Sequence, residues 1–197
     1  MRELERSLRS VYKVLEELGY RPLIVGTYAL ILQGWLPQSY LEETKDIDIY
    51  VDEPMIVFDS KVEEKIMKLG LSIGKSETGG IYVDAGKPIE IVYPIYDFYI
   101  PRKLLKHTMV IKGIRVLEGH AVLVAKALGG SIKYLAKTLR RTGVFISVER
   151  IRKLLLSVKD ELDPSIYMVA KRRINEFIRE WVGASREREE EVMPCEA

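Results

Sequence analysis

Asp46 and Asp48 stand two residues apart in the stretch ETKDIDIYVD, Glu43 to Asp52, which otherwise reads as a buried strand. Strand side chains alternate between faces, so the two carboxylates share one side while Ile47, Ile49 and Val51 share the other. A second stretch, KPIEIVYPI, repeats the pattern: Glu90 stands between Ile89 and Ile91. If its strand pairs beside 47–51, the three acids Asp46, Asp48 and Glu90 converge on one face. Hard oxygen ligands of this kind suit Mg²⁺ (or Mn²⁺), which prefers a few carboxylates completed by water and substrate phosphates. Two such ions about 4 Å apart would activate an attacking hydroxyl and stabilise a leaving pyrophosphate. Bound cations would also neutralise the repulsion between the paired aspartates. The competing reading is a small sheet with a polar outer face.

An upstream turn offers the complementary half of a nucleotide site. In PLIVGTYALILQGW a short apolar strand ends at Gly26-Thr27 and enters a helix. Such a turn presents free backbone amides and the positive end of a helix dipole to an anion. Gly26 lets a phosphate come close to the main chain, and Thr27 adds a hydroxyl that could also bond the first free amides. Strand-glycine-helix turns are abundant, and it is the acids downstream that make this one specific.

The elements that must position these residues follow from periodicity and turn chemistry. Leu4, Leu8, Val11, Leu15 and Leu18 mark an amphipathic first helix ending near Gly19. Strands are predicted at 22–25, 47–51, 71–75, 80–84 and 88–93, with a Gly79-Gly80 turn, and MVIKGIRVL reads as a hairpin turning at Lys112-Gly113. Ser60 and Glu63 have the spacing of a capping box for a helix through Leu69. After Glu118 the pattern is helical, with Asp163-Pro164 opening a last long helix. The fold class is α+β: a small mixed sheet with flanking helices over 1–117, a helical region over 118–183, and a flexible tail over 184–197.

Composition agrees with a globular domain, with 47% hydrophobic residues in a chain of 197. No stretch approaches the roughly 20 apolar residues that span a bilayer. The one cysteine, Cys195, excludes an internal disulfide, and with the absence of a signal-like N-terminus points to a cytoplasmic setting. One Asn, two Gln and one Cys against 30% charged residues lean toward a thermophilic source. Charge is polarised along the chain: net −6 over 1–100, +11 over 101–160 and −3 over 161–197. Metal-binding acids facing a cationic wall would suit a polyanionic ligand, although a solvated basic helix face accounts for any single lysine equally well.

Taken together, LIVGTYALILQGW, TKDIDIYV and IEIVY resemble the polymerase-β-like nucleotidyltransferase superfamily, and within it the small prokaryotic branch of toxin-type and minimal enzymes. The resemblance covers about residues 20–130. It implies that Gly26 and Thr27 hold nucleotide phosphates, that Asp46 and Asp48 bind metal, and that Glu90 completes the site and helps deprotonate the acceptor. It also places Lys126, in LEGHAVLVAKAL, near the triphosphate. The chain departs from the family pattern in four places. Thr27 replaces the usual Gly or Ser, and Glu90 the usual Asp. LPQSYLEE reads as an inserted loop, and KTLRRTGVF stands where toxin-type relatives carry a Lys-Asp pair.

Several other motifs carry no chemistry. GLSIGKS has three residues between its glycines where a Walker loop needs four. His107 and His120 have no partner at ligand spacing and read as structural. Arg140 and Arg141 could grip phosphate or RNA, or simply favour a helix end. Were the helix of Lys126 continuous through Gly129-Gly130, they would stand about 20 Å from it. The expected function is Mg²⁺-dependent transfer of a nucleoside monophosphate from an NTP to an acceptor, which could be RNA, a protein or a small molecule. The alternative is a non-catalytic nucleotide- or RNA-binding module of the same fold, acting through the basic segment or a partner protein.

Overall fold

The computed structural model describes residues 2–75, 80–94 and 100–190. Among these residues the sheet has seven strands: β1 (Leu23–Ile24), β2 (Ile47–Tyr50), β3 (Ser72–Lys75), β4 (Ile81–Asp84), β5 (Pro88–Val92), β6 (Thr108–Ile111) and β7 (Ile114–Leu117). They lie in the order β3-β4-β5-β2-β1-β7-β6. The pairs β2/β5 and β1/β7 are parallel and the others antiparallel, so the sheet is mixed, as expected. Ile47, Ile49, Ile89 and Ile91 are fully buried, which pins the register: a slip by one residue would send these side chains to the opposite face.

The helices are α1 (Arg2–Glu17), α2 (Gly26–Leu32), α3 (Ser60–Lys68), α4 (Gly119–Gly129), α5 (Ala136–Thr142), α6 (Val148–Ser157) and α7 (Pro164–Glu190). The α+β class and the helical region after the sheet match the sequence reading. So does the hairpin, where Ile111 pairs with Ile114 and both turn residues, Lys112 and Gly113, take positive φ (49° and 80°). That is the two-residue turn whose twist suits paired strands. No helix among the described residues is long and apolar enough to cross a membrane.

Two local expectations are corrected and two further details are added. The cap of α3 is Asp59, not Ser60, because Asp59 Oδ1 accepts from the Lys61 amide at 3.0 Å. Thr27 does not cap α2, which begins at Gly26 itself with no side-chain cap on its first amides. The segment read as an inserted loop contains a 3₁₀ turn, Gln38–Glu42, whose Leu41 is buried. Finally, α4 stops at Gly129 because Gly130 turns left-handed (φ 90°), so Arg140 and Arg141 lie on the separate α5 rather than on a continuation of α4. Gly79 of the predicted turn falls outside the described residues. Helix α7 runs through Glu190, and the remainder of the segment read as a tail lies outside them.

The end of α4 is held by α7. Arg173 Nη1 donates to the carbonyls of Ala127 and Leu128, 3.0 Å each, and its guanidinium lies over Gly130, where a Cβ would come 3.2 Å from Nη2. A cation there satisfies orphan carbonyls and complements the negative end of the helix. Arg173→Met should therefore lower the unfolding free energy by about 2 kcal/mol in urea titrations, the usual scale for charge-assisted bonds. An unchanged midpoint would show that α4 needs no such cap.

Candidate active site

The parallel register of β2 and β5 sets Asp48 beside Glu90. Asp46 precedes β2 and shares the face of Asp48. Each of the three acids offers a carboxylate oxygen, and those oxygens all lie within 4.8 Å of one another. The convergence expected from the sequence is therefore realised in the fold.

Gly26 stands directly against this cluster. It takes φ 65°, and a Cβ there would come 2.1 Å from Asp48 Oδ2. Glycine is required twice over, by the left-handed backbone and by the room that Asp48 occupies. Close to it, the Val25 amide donates to the Asp48 carbonyl at 3.1 Å. Gly80 plays a similar part for the third acid, since a Cβ there would meet Glu90 Oε1 at 2.9 Å and the Ile91 carbonyl at 3.0 Å. Thr27, half-buried, follows Gly26 in the first turn of α2.

Crowding shapes the electrostatics. Burial, and after it the neighbouring Asp46 charge, pushes the Asp48 carboxyl up to about 7; Lys126 opposes the rise and Glu90 adds to it. Asp46 is also raised, by burial and then Glu90, against the opposing charges of Lys126, Lys45 and Lys87. Burial lowers the Lys126 ammonium, while Asp48 and then Asp46 hold it up. Lys126 thus acts on both aspartates. Lys45 and Lys87 also act on Asp46 and were missed in the sequence. Lys45 adjoins the motif, but Lys87 is brought in only by strand pairing.

A clamp unseen in the sequence fixes α2, which bears the glycine turn, relative to α4, which bears Lys126. The Gln33 amide group donates to the Ala29 (2.7 Å) and Leu117 (2.9 Å) carbonyls and accepts from the Gly119 amide (2.8 Å). Trp35 lies on Gly119, where a Cβ would come 2.5 Å from the indole Cζ2. It meets the His120 ring edge-on at 5.0 Å. His120 is buried and its Nε2 accepts from the Ser147 amide at 3.1 Å, so the ring is neutral there; burial and then the Arg150 charge hold its pKa below the ordinary value. His107 lies 3.9 Å from a Glu118 oxygen. Arg140 and Arg141 occupy the last turn of α5.

Comparison with known proteins adds a family. The family described as "Nucleotidyl transferase of unknown function (DUF2204)" matches residues 4–173. No curated protein matches the chain. Similar solved structures include the antibiotic-resistance factor ANT(2'')-Ia, at a TM-score of 0.45 and 13% identity over 94% of this chain and 96% of that one. The same factor in complex with adenylyl-2''-tobramycin gives 0.46 and 13% over 90% and 99%. JHP933 from Helicobacter pylori gives 0.42 and 13% over 94% of each chain. Likeness at this distance carries no argument about substrate.

The strained acid cluster generates a pH prediction. In the unfolded chain Asp48 ionises near its ordinary value of 3.8, whereas the folded, metal-free protein keeps that proton to about 7. Between those values the folded state binds more protons, so this group makes stability fall as pH rises through the interval. Asp48→Asn removes the loss. The metal-free variant should melt higher than the native chain at pH 8 and vary less with pH between 4 and 7. A variant less stable than native at pH 8 would contradict the crowding.

Proposed function

The chain belongs to this nucleotidyltransferase family, and from that premise we propose that it moves a nucleoside monophosphate from an NTP to a hydroxyl of RNA, a protein or a small molecule, with divalent metal held by Asp46, Asp48 and Glu90. One observation carries the reading: three carboxylates on adjoining strands, their ligand oxygens within 4.8 Å, at the edge of a glycine turn. The donor set fits Mg²⁺ or Mn²⁺, being three carboxylates, all hard oxygen and partly exposed. When bound, such an ion polarises the phosphoryl group and stabilises the charge that develops on the leaving oxygens.

The roles of the chain's own residues follow from their places. Asp48 on β2 and Asp46 just before it, on the same face, hold the metal. Glu90, on the neighbouring strand, completes the ligand set and is placed to accept the proton of the acceptor hydroxyl. Lys126 lies beside both aspartates, where an ammonium would meet the triphosphate. Gly26 keeps the main chain flush against Asp48, and Thr27 offers its hydroxyl from the first turn of α2. Residues 1–117 form the catalytic core in this reading, and the region 118–183 contributes Lys126. A cytoplasmic setting, with NTP and Mg²⁺ at hand, accords with this chemistry.

The test is incubation with each labelled NTP, Mg²⁺ and cell extract, followed by a search for transferred label. Asp46→Asn and Asp48→Asn should each abolish transfer, and Lys126→Ala should weaken NTP binding about tenfold, the loss of one charge-assisted contact. Transfer retained by either aspartate variant would contradict the reading. NTP binding without transfer by the native chain would favour the binding module. The +11 segment would then show itself in RNA affinity that falls about 0.7 log units per phosphate contact for each tenfold rise in salt.

A further inference from the structure

Lys87 closes the turn between β4 and β5. Gly86 takes φ 79° there, and its amide donates to Asp84 Oδ1 at 3.1 Å. Because Ile47 stands beside Ile89 in the parallel pair, the segments leading into β2 and β5 run side by side. Lys87 bridges them: its Nζ donates to the Thr44 carbonyl at 2.5 Å, although 43 residues separate the two along the chain. Thr44 is two residues before Asp46, and Lys87 is three before Glu90. Lys87 is half-buried, and its charge is among those acting on Asp46.

We propose that Lys87 is a positioning residue that clamps the Thr44 carbonyl and thereby holds Asp46 against Glu90 in metal-binding geometry. The inference rests on the metal reading above. Asp46 and Glu90 repel each other; Glu90 is paired on both sides within β5, whereas Asp46 lies just before β2 and has no strand pairing of its own. A bond from the turn before β5 to the backbone before β2 opposes that repulsion on the side of Asp46, which strand pairing does not hold. An ammonium serves better than a neutral donor, since it also offsets the charge on Asp46.

The two possible effects of Lys87 on a bound cation have opposite signs, which makes the inference testable. A lysine that is merely a nearby charge repels the cation, so its removal tightens binding. A lysine that positions the ligands favours the cation, so its removal weakens binding. The measurement is Mn²⁺ titration of the full chain without nucleotide, with free Mn²⁺ followed by electron paramagnetic resonance. Lys87→Met, which keeps the stem and loses charge and donor, should bind Mn²⁺ about tenfold or more weakly, the usual scale for a residue that orients a ligand. Lys87→Arg, which keeps both, should recover most of that affinity. If Lys87→Met also lowers the melting temperature, recovery in Lys87→Arg supports the clamp and failure to recover overturns it. Unchanged or tighter Mn²⁺ binding by Lys87→Met, with binding lost in Asp48→Asn, overturns the clamp and leaves the metal reading standing. A native chain that binds no Mn²⁺ overturns both.

Discussion

Carboxylates repel when packed as closely as Asp46, Asp48 and Glu90, and much of the surrounding structure is arranged to tolerate that packing. Burial deepens the cost, because a charge away from water loses solvation as well as meeting its neighbours. The cost is visible in Asp48, whose carboxyl is pushed up to about 7. Two glycines leave room where side chains would collide with the acids, Gly26 for Asp48 and Gly80 for Glu90. Lys126, Lys45 and Lys87 supply opposing charge to Asp46, and Lys126 also acts on Asp48. A sheet with a merely polar outer face would spread its acids. Concentrating three of them at one point has physical sense when a cation joins them.

The scaffold transmits this requirement outward. Helices α2 and α4 meet through Gln33 and through the Trp35 ring on Gly119, so the glycine turn and Lys126 keep a fixed relation to the acids. Arg173 then ties the far end of α4 to α7. Helix α7 is thereby part of the support of α4, which carries Lys126.

The acids were legible in the sequence because strand alternation is a local rule: an acid between branched apolar residues, twice over, declares its face. Their convergence needed one assumption, that the strands of Asp48 and Glu90 are neighbours, and the structure bears it out. Lys87, Gln33 and Gly80 were not legible, because each acts across strand or helix partners far away in sequence. The roles given to Gly26 and Thr27 show the same limit. Gly26 was read for phosphate approach alone, whereas the structure adds a second demand, the Asp48 carboxylate in the place of its missing side chain. Thr27 was read as a cap because threonine often is one, yet α2 starts a residue earlier. The break after α4 was signalled by Gly129-Gly130, but periodicity could not say whether the pair ends the helix or is carried through it.

The central claim is that the three acids form a divalent-metal centre for a nucleotide. It is tested most directly by crystals soaked with Mn²⁺ and a non-hydrolysable NTP, with data collected for the anomalous signal of manganese. The account predicts anomalous density among the carboxylates of Asp46, Asp48 and Glu90, with the triphosphate extending toward Lys126. Ordered nucleotide bound elsewhere, with no anomalous density among these three side chains, would contradict it.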